Sequence, residues 1–302
     1  MTFKKDFVIS VPSLFSLNYT VWTLRRRAKN IIDRWDGETY ERVLMIEDNL
    51  VKISLVQINE SSLAGKSISE KKANVEKVKN ILKDILGVDY DLTSFYSLLS
   101  KDKYLGPLIK NFYGVRPPKY PTIFEAFVNA ISCQQVTLDL GILLINRLSE
   151  NFGRKIIDDG EVFFAFPNPR DFIKVKEENI KKLGYSYQKA RAILRVAELI
   201  EVNGKQFEEL KDLSNKDAIS FLMGIKGIGR WSAEYILLRG LRRIDVFPGD
   251  DVGAQRSLME LMDLEEKPDY DKVERIISKW KSFGGMVYYL MLLRKLRIKK
   301  VI

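Results

Sequence analysis

The chain has 302 residues, of which 46% are hydrophobic and 30% charged, as is typical of a soluble globular protein with room for two or three domains. It has no histidine and a single cysteine, Cys133, which excludes an internal disulfide, histidine acid–base chemistry, and zinc or iron–sulfur sites built from four cysteines. The net charge of +10 favours a polyanionic partner such as nucleic acid.

The predicted elements begin with strands and change to helices. The first residues, up to about position 60, read mainly as β-strand, and residues 40–58 form a predicted hairpin around a Glu-Asp-Asn turn. Residues 69–87 then place valines, isoleucines and leucines at helical spacing and end at a glycine.

A proline-rich segment divides the chain. "GVRPPKYP" (114–121) interrupts regular structure with three prolines, and almost every later segment has helical periodicity. The sequence therefore predicts the α+β fold class: a small N-terminal domain over residues 1–113, containing an antiparallel β-sheet with helices, and a larger all-helical domain over residues 114–302.

Neither a membrane segment nor a signal peptide is predicted. No apolar run reaches the length of a membrane span, and the N-terminus lacks a sustained apolar core. We therefore expect an intracellular protein without a membrane partner, located in the cytoplasm or nucleoid, or in the nucleus of a eukaryote.

The most informative stretch is "GIKGIGRWSAEYILLRG" (224–240), in which three glycines precede a predicted helix. Gly227 and Gly229 nearly match the dinucleotide pattern, but that pattern needs a preceding strand, and here the preceding segment is helical. A helix, a tight glycine turn and a second helix instead suggest a helix-hairpin-helix, whose amides bind DNA phosphate without reading sequence. An ordinary turn between two helices is the alternative.

Two adjacent carboxylates follow this stretch. Asp250 and Asp251 come directly after a Pro-Gly turn, where the next helix is predicted to begin. One aspartate can cap that helix, which leaves the other available for chemistry. Both could equally be caps or surface charges.

Together these segments carry a specific resemblance. "LMGIKGIGRWSAEYILLRG" followed by "DVFPGDD", with Asp251 22 residues after Gly229, resembles the helix-hairpin-helix DNA glycosylase superfamily, most closely its alkylbase branch of 3-methyladenine DNA glycosylase II type. "FEAFVNAISCQQVT" (124–137) and "LGYSYQKARAILRVAELI" (183–200) also resemble segments of that family.

The resemblance implies roles for the residues around the hairpin. Asp251 would be the catalytic carboxylate, with Asp250 as the helix cap. Trp231 stands where lyase members of the superfamily carry a lysine, so the resemblance implies a monofunctional enzyme that uses water. Trp231 and Tyr235 would line the base pocket, where an indole attracts a cationic alkylated purine. Leu292 occupies the position of a second pocket tryptophan in the bacterial enzyme.

The resemblance also implies the DNA contacts. Gln135, with Gln134 beside it, would fill the gap that a flipped base leaves in the duplex. The predicted phosphate contacts in the hairpin are Lys226, Gly227, Gly229 and Arg230. Most members have proline at the position of Lys226, and plain solvation is the alternative for its side chain. Backbone carbonyls of Met223, Ile225 and Gly227 would hold a structural monovalent cation. No cofactor is expected for catalysis.

The resulting expectation is a monomeric, monofunctional DNA glycosylase. It would remove alkylated purines from double-stranded DNA that contains damaged bases and leave an abasic site. Two alternatives are an 8-oxoguanine glycosylase and a non-catalytic helix-hairpin-helix DNA-binding protein. The missing lysine argues against the first, and the spacing of Asp251 from the hairpin argues against the second.

Overall fold

The computed structural model describes residues 2–302. Its N-terminal part contains one five-stranded sheet of order β1-β5-β4-β3-β2, in which every neighbouring pair is antiparallel. The strands are β1 (Phe3–Ser10), β2 (Arg34–Trp35), β3 (Thr39–Ile46), β4 (Asn49–Asn59) and β5 (Ser62–Ser69). The predicted hairpin is confirmed as β3 and β4, with Ile46 opposite Asn49. Glu47 and Asp48 between them both have positive φ, as a two-residue turn between twisted strands requires.

Four helices accompany this sheet. They are α1 (Leu17–Arg25), α2 (Val75–Leu86), α3 (Thr93–Leu99) and α4 (Leu105–Asn111). The predicted helix is confirmed as α2: the Asn74 side chain caps its start, and Gly87 ends it in the left-handed conformation at φ 65°. Val78 and Leu82 turn their apolar side chains into the core at a spacing of one helical turn.

The rest of the chain is mainly helical. Its α-helices are α5 (Ile123–Cys133), α6 (Leu138–Phe152), α7 (Glu177–Lys181), α8 (Tyr187–Glu209), α9 (Asn215–Met223), α10 (Arg230–Leu241), α11 (Val252–Met262), α12 (Tyr270–Ile277) and α13 (Gly284–Ile298). A two-stranded hairpin, β6 (Lys155–Asp158) and β7 (Glu161–Phe164), was not expected in this part. The α+β fold class is confirmed.

The predicted boundary at residues 113 and 114 is not a break in the core. One hydrophobic cluster contains sheet residues such as Val51 together with α5 and α8 residues such as Phe127 and Ile193. A second cluster joins α3 and α4 to α13. The boundary stays a prediction.

None of the helices within residues 2–302 combines the length and apolar character that crossing a bilayer would need.

A buried ionic network connects the sheet to α5. The guanidinium of Arg42 on β3 hydrogen-bonds the carboxylate of Asp33, with N and O 2.6 Å apart, and also the carboxylate of Glu125 on α5. The hydroxyl of Tyr40 donates to Asp33 at 2.8 Å. The three charged side chains are each at most 3% exposed. Because buried charges need partners, the loss of Arg42 would leave two buried carboxylates uncompensated.

Arg42→Met should therefore lower the free energy of unfolding by about 3 kcal/mol, since it leaves two carboxylates without their shared cation. Chemical denaturation followed by circular dichroism measures this. The matched control is Arg170→Met, which breaks an exposed pair with Asp48 and should cost under about 1 kcal/mol. Equal losses in the two variants would contradict the structural role of the network.

Candidate active site and nucleic-acid interface

The glycine turn between α9 and α10 has its strained position at Gly227. Gly227 has φ 104°, and a Cβ there would lie 2.9 Å from the Cβ of Ala192 on α8. Gly229 has an extended backbone, φ −93° and ψ 179°, with nothing within 4 Å of an added Cβ. Only Gly227 therefore needs to be glycine for conformational reasons. Gly229 is open to solvent at the N-cap of α10.

This turn presents backbone amides at an exposed surface. The amides that begin any α-helix have no intrahelical acceptor. In α10 the N-cap residue is a glycine, so these amides also receive no side-chain acceptor from the cap. All four residues predicted to contact phosphate are exposed: Lys226, Gly227, Gly229 and Arg230. The Arg195 guanidinium on α8 donates to the Lys226 carbonyl at 3.0 Å. The arrangement is suited to binding an anion such as a DNA phosphate.

The two glutamines at the end of α5 lie in different surroundings. The Gln134 side-chain amide donates to the Gly227 carbonyl and to the Ser232 hydroxyl, each at 2.9 Å. It thereby links α5 to the hairpin. Gln135 is exposed and has φ 52°, a left-handed conformation for a residue with a side chain. Of the pair, Gln135 is the more exposed, and its role in the duplex stays a prediction.

Asp251 is both the helix cap and the centre of the site. Its Oδ1 accepts from the Ala254 amide at 2.8 Å and so caps α11. Its Oδ2 accepts from Trp231 Nε1 at 3.0 Å and from the Tyr288 hydroxyl at 3.1 Å. The expectation that Asp250 would cap the helix was wrong. Asp250 is exposed, whereas Asp251 directly precedes the first helical residue, where a side-chain oxygen reaches the third amide.

The predicted pocket residues occupy two layers. Trp231 is partly exposed, and its ring lies on that of Tyr235, with centroids 5.4 Å apart and an interplanar angle of 32°. Tyr235 is only 2% exposed, and its hydroxyl hydrogen-bonds that of Tyr120 at 3.0 Å. Trp231 is therefore available for contact with a base, while Tyr235 lies behind it and supports the indole.

Tyr288 on α13 is a site residue that the sequence reasoning missed. Burial, and then the negative charge of Asp251, raise the pKa of Tyr288 well above that of free tyrosine, so its hydroxyl stays protonated and donates to the carboxylate. Leu292 lies one helical turn further along α13 and is partly buried. Tyr288 thus places an aromatic ring one turn before Leu292, the position at which the bacterial enzyme has its second pocket tryptophan. Its signal was the Tyr-Tyr pair in "MVYYLMLLRK".

Two of the three backbone carbonyls predicted to hold a cation accept hydrogen bonds within the protein. The Ile225 carbonyl accepts from the Ile228 amide at 2.9 Å, and the Gly227 carbonyl accepts from Gln134. Since a carbonyl oxygen has two lone pairs, these bonds leave one for a cation. Within residues 2–302 no cluster of acidic or cysteine side chains is arranged to bind a metal. The monovalent cation at Met223, Ile225 and Gly227 stays a prediction.

Comparison with known protein families decides the family of the chain. The model of the HhH-GPD superfamily of base excision DNA repair proteins matches residues 128–282, which include the hairpin and Asp251. The chain belongs to this superfamily. The N-terminal domain model of 8-oxoguanine DNA glycosylase matches residues 15–127. The HhH-GPD chain described here is thus a DNA glycosylase, a hydrolase of N-glycosyl bonds.

Relatives match over nearly the whole chain. A DNA-3-methyladenine glycosylase of Bacillus subtilis is 27% identical over 290 residues, which cover 94% of this chain and 95% of that protein. A 3-methyladenine DNA-glycosylase structure from Archaeoglobus fulgidus has a TM-score of 0.84 at 24% identity and covers 95% of this chain and 97% of its own. An 8-oxoguanine glycosylase/lyase from Clostridium acetobutylicum, in complex with DNA, has a TM-score of 0.77 at 18% identity, with coverages of 99% and 98%. Both of these structures share the fold of the present chain.

If the hairpin amides bind phosphate, the methyl group added by Gly229→Ala should hinder the approach of DNA and weaken binding. The loss should be similar for damaged and undamaged DNA, because phosphate contacts carry no sequence or lesion information. The fold should survive, since the added methyl meets no atom and φ is negative. Fluorescence anisotropy at one fixed salt concentration measures both affinities.

Gly227→Ala is the contrasting variant for the same turn. It forces a side chain to φ 104° and against Ala192, so it should lose about 1–3 kcal/mol of folding stability. A loss of binding in Gly229→Ala that is confined to lesion-containing DNA would contradict the assignment of the hairpin to phosphate.

Proposed function

We propose that this protein excises alkylated purines of the 3-methyladenine and 7-methylguanine type from double-stranded DNA and leaves an abasic site. One observation carries the proposal: the carboxylate of Asp251 lies beside the partly exposed indole of Trp231, with 3.0 Å between Oδ2 and Nε1. A carboxylate and an electron-rich ring are thereby available to the sugar and to the base of the same flipped nucleotide. The similarity to the Bacillus subtilis DNA-3-methyladenine glycosylase supports this substrate class.

The proposed role of Asp251 follows from the charge that develops in the reaction. Cleavage of an N-glycosidic bond builds positive charge on the sugar, and a fixed carboxylate stabilises that transition state. The same group can orient or deprotonate the attacking water. The Ala254 amide, Trp231 and Tyr288 fix the direction of both oxygens, so little reorganisation is needed when the charge appears.

The proposed role of Trp231 concerns the base. Alkylated purines such as 7-methylguanine carry a positive charge, which the face of an indole attracts. Tyr235 supports this ring from behind and limits its movement. Because a tryptophan cannot form a Schiff base, the reaction at this position would be hydrolysis by water rather than lyase chemistry.

An 8-oxoguanine substrate is the second candidate. Its support is the match of residues 15–127 to the N-terminal domain of 8-oxoguanine DNA glycosylase. Against it stands Trp231, which occupies the position expected for a lysine nucleophile. Lys295 is the lysine that lies nearby: a Cβ on Gly253 would be 3.7 Å from Lys295 Nζ and 3.0 Å from Asp251 Oδ1. It is the residue to control for in a test of lyase activity.

The proposed setting of the activity is the DNA compartment of the cell, the nucleoid or the nucleus. We also propose that the protein acts as a monomer on double-stranded DNA containing damaged bases, with Gln135 filling the gap left by the flipped base. The exposed position of Gln135 and its left-handed backbone at the end of α5 support this role.

Asp251→Asn should lower single-turnover base release by at least about 100-fold, because the charge that stabilises the sugar cation is lost. Asparagine remains a good helix cap, so folding and DNA affinity should change little. Asp250→Asn is the control, since Asp250 is exposed, and it should retain full activity. DNA binding with no Asp251-dependent base release would favour the non-catalytic alternative.

Base release should be largest from DNA that contains 3-methyladenine or 7-methylguanine, and smallest from 8-oxoguanine paired with cytosine. The product should be an intact abasic strand, and borohydride should trap no covalent adduct. Measurement of base release by chromatography and of strand integrity by denaturing gel tests both points. A trapped adduct that disappears in Lys295→Gln would contradict the monofunctional reaction, and preferred release of 8-oxoguanine would contradict the substrate class.

A further inference from the structure

Glu234 is a buried carboxylate on the helix that also carries Trp231. It lies three residues after Trp231 on α10 and is 3% exposed. Its Oε2 accepts from the Gly249 amide at 3.0 Å, and its Oε1 accepts from the Tyr270 hydroxyl at 2.8 Å. Within the described residues no lysine or arginine forms an ion pair with it. Its partners are therefore a loop and a neighbouring helix rather than a cation.

The loop that Glu234 contacts is the one that carries Asp251. The Asp251 amide donates to the Pro248 carbonyl at 3.0 Å, which closes the turn. The Gln255 side chain donates to the Gly249 carbonyl at 2.9 Å, so both backbone groups of Gly249 are bonded. Movement of Gly249 would thus be transmitted to Asp251 across a single hydrogen-bonded turn.

Tyr270 completes the packing around this loop. A Cβ on Gly249 would lie 2.8 Å from the Tyr270 ring, so the ring lies directly against the glycine. The Arg230 guanidinium, at the first position of α10, lies 4.4 Å from the centre of the same ring. The start of α10 and the Asp251 loop therefore both pack against one aromatic residue.

The ionic state of Glu234 responds to pH near neutrality. Burial raises the pKa of Glu234 to about 7; the hydrogen bonds from Tyr270 and Gly249 oppose this rise, and the charges of Asp250 and Glu274 add to it. Arg230 is the cation on the adjoining surface. Because the folded-state pKa lies above that of a free glutamate, burial of the ionised group costs stability progressively as pH rises from about 4.5 to about 7.

We propose that Glu234 is a positioning residue, which fixes Asp251 relative to Trp231 by bonding the Gly249 amide to the helix that carries the indole. The inference rests on the proposed function, because it takes Asp251 as the catalytic carboxylate. Its consequence is specific: Glu234 should govern the rate of base release and not the affinity for DNA. Since a hydrogen bond to an ionised carboxylate is stronger than one to a neutral carboxyl, this contribution should increase as pH rises through about 7.

Three variants test the inference in the full-length protein. Glu234→Leu removes both hydrogen bonds at similar volume. Glu234→Gln keeps them in altered form, since its amide can accept from Gly249 and donate to the Tyr270 oxygen. Tyr270→Phe removes one donor and keeps the ring against Gly249. For each variant the experiment measures single-turnover release of a methylated purine between pH 6 and 8, affinity for undamaged DNA, and thermal unfolding.

Glu234→Leu should release the base at least about 10-fold more slowly than the wild type, because small displacements of a catalytic group are costly in rate. Its affinity for undamaged DNA should stay within a few-fold. Glu234→Gln should recover most of the rate and lose the part of the wild-type pH dependence that is centred near 7. If Glu234→Leu does not fold, the test rests on Glu234→Gln and on Tyr270→Phe. Of these two, Tyr270→Phe should release the base several-fold more slowly than the wild type at pH 8.

Normal base release by folded Glu234→Leu, or by Tyr270→Phe where the leucine variant does not fold, would overturn the inference and leave the proposed function intact. A Glu234→Gln variant that keeps the full wild-type pH dependence would also overturn it. Failure of the proposed function is a different result, in which the wild type and Asp251→Asn release equal amounts of base.

Discussion

The carboxylate of Asp251 is the point at which three helices of the second half of the chain meet. It caps α11 with one oxygen and accepts from α10 and α13 with the other. An aspartate in this position gives one oxygen to the amides of a helix N-terminus, which have no intrahelical acceptor. Its other oxygen remains for side chains of two neighbouring helices. In the proposed function, structural and catalytic demands therefore fall on the same side chain.

A continuous series of contacts extends from the sheet to the glycine turn between α9 and α10. The Arg42 network connects β3 to Glu125 near the start of α5, and Gln134 at the other end of α5 bonds the Gly227 carbonyl of the hairpin. The N-terminal sheet is thus connected to the hairpin through α5. The hydrophobic core likewise continues across the predicted domain boundary.

Much of the fold and part of the site were predictable from the sequence, because the signals involved are local. The β3–β4 turn, the end of α2 at Gly87 and the hairpin between α9 and α10 each depend on residues that are neighbours in the chain. The short β6–β7 hairpin was missed because its strands have four residues each, too few for a clear alternation. Tyr288 was missed because the Tyr-Tyr pair shows that aromatic residues are present but does not show which face of α13 each one occupies.

From the sequence, the turn residues and helical periodicity indicated the α+β class. The resemblance of the hairpin-to-aspartate segment indicated the superfamily and assigned Asp251 and Trp231 to one predicted site. The tertiary structure alone decided which aspartate caps α11, which glycine is strained, and which aromatic residue lies in front of the other. It also decided that Glu234 contacts the Asp251 loop. The cap depends on the exact residue at which α11 begins, and the other points depend on how α10 and its preceding turn pack against neighbouring segments. Residue spacing along a sequence specifies neither.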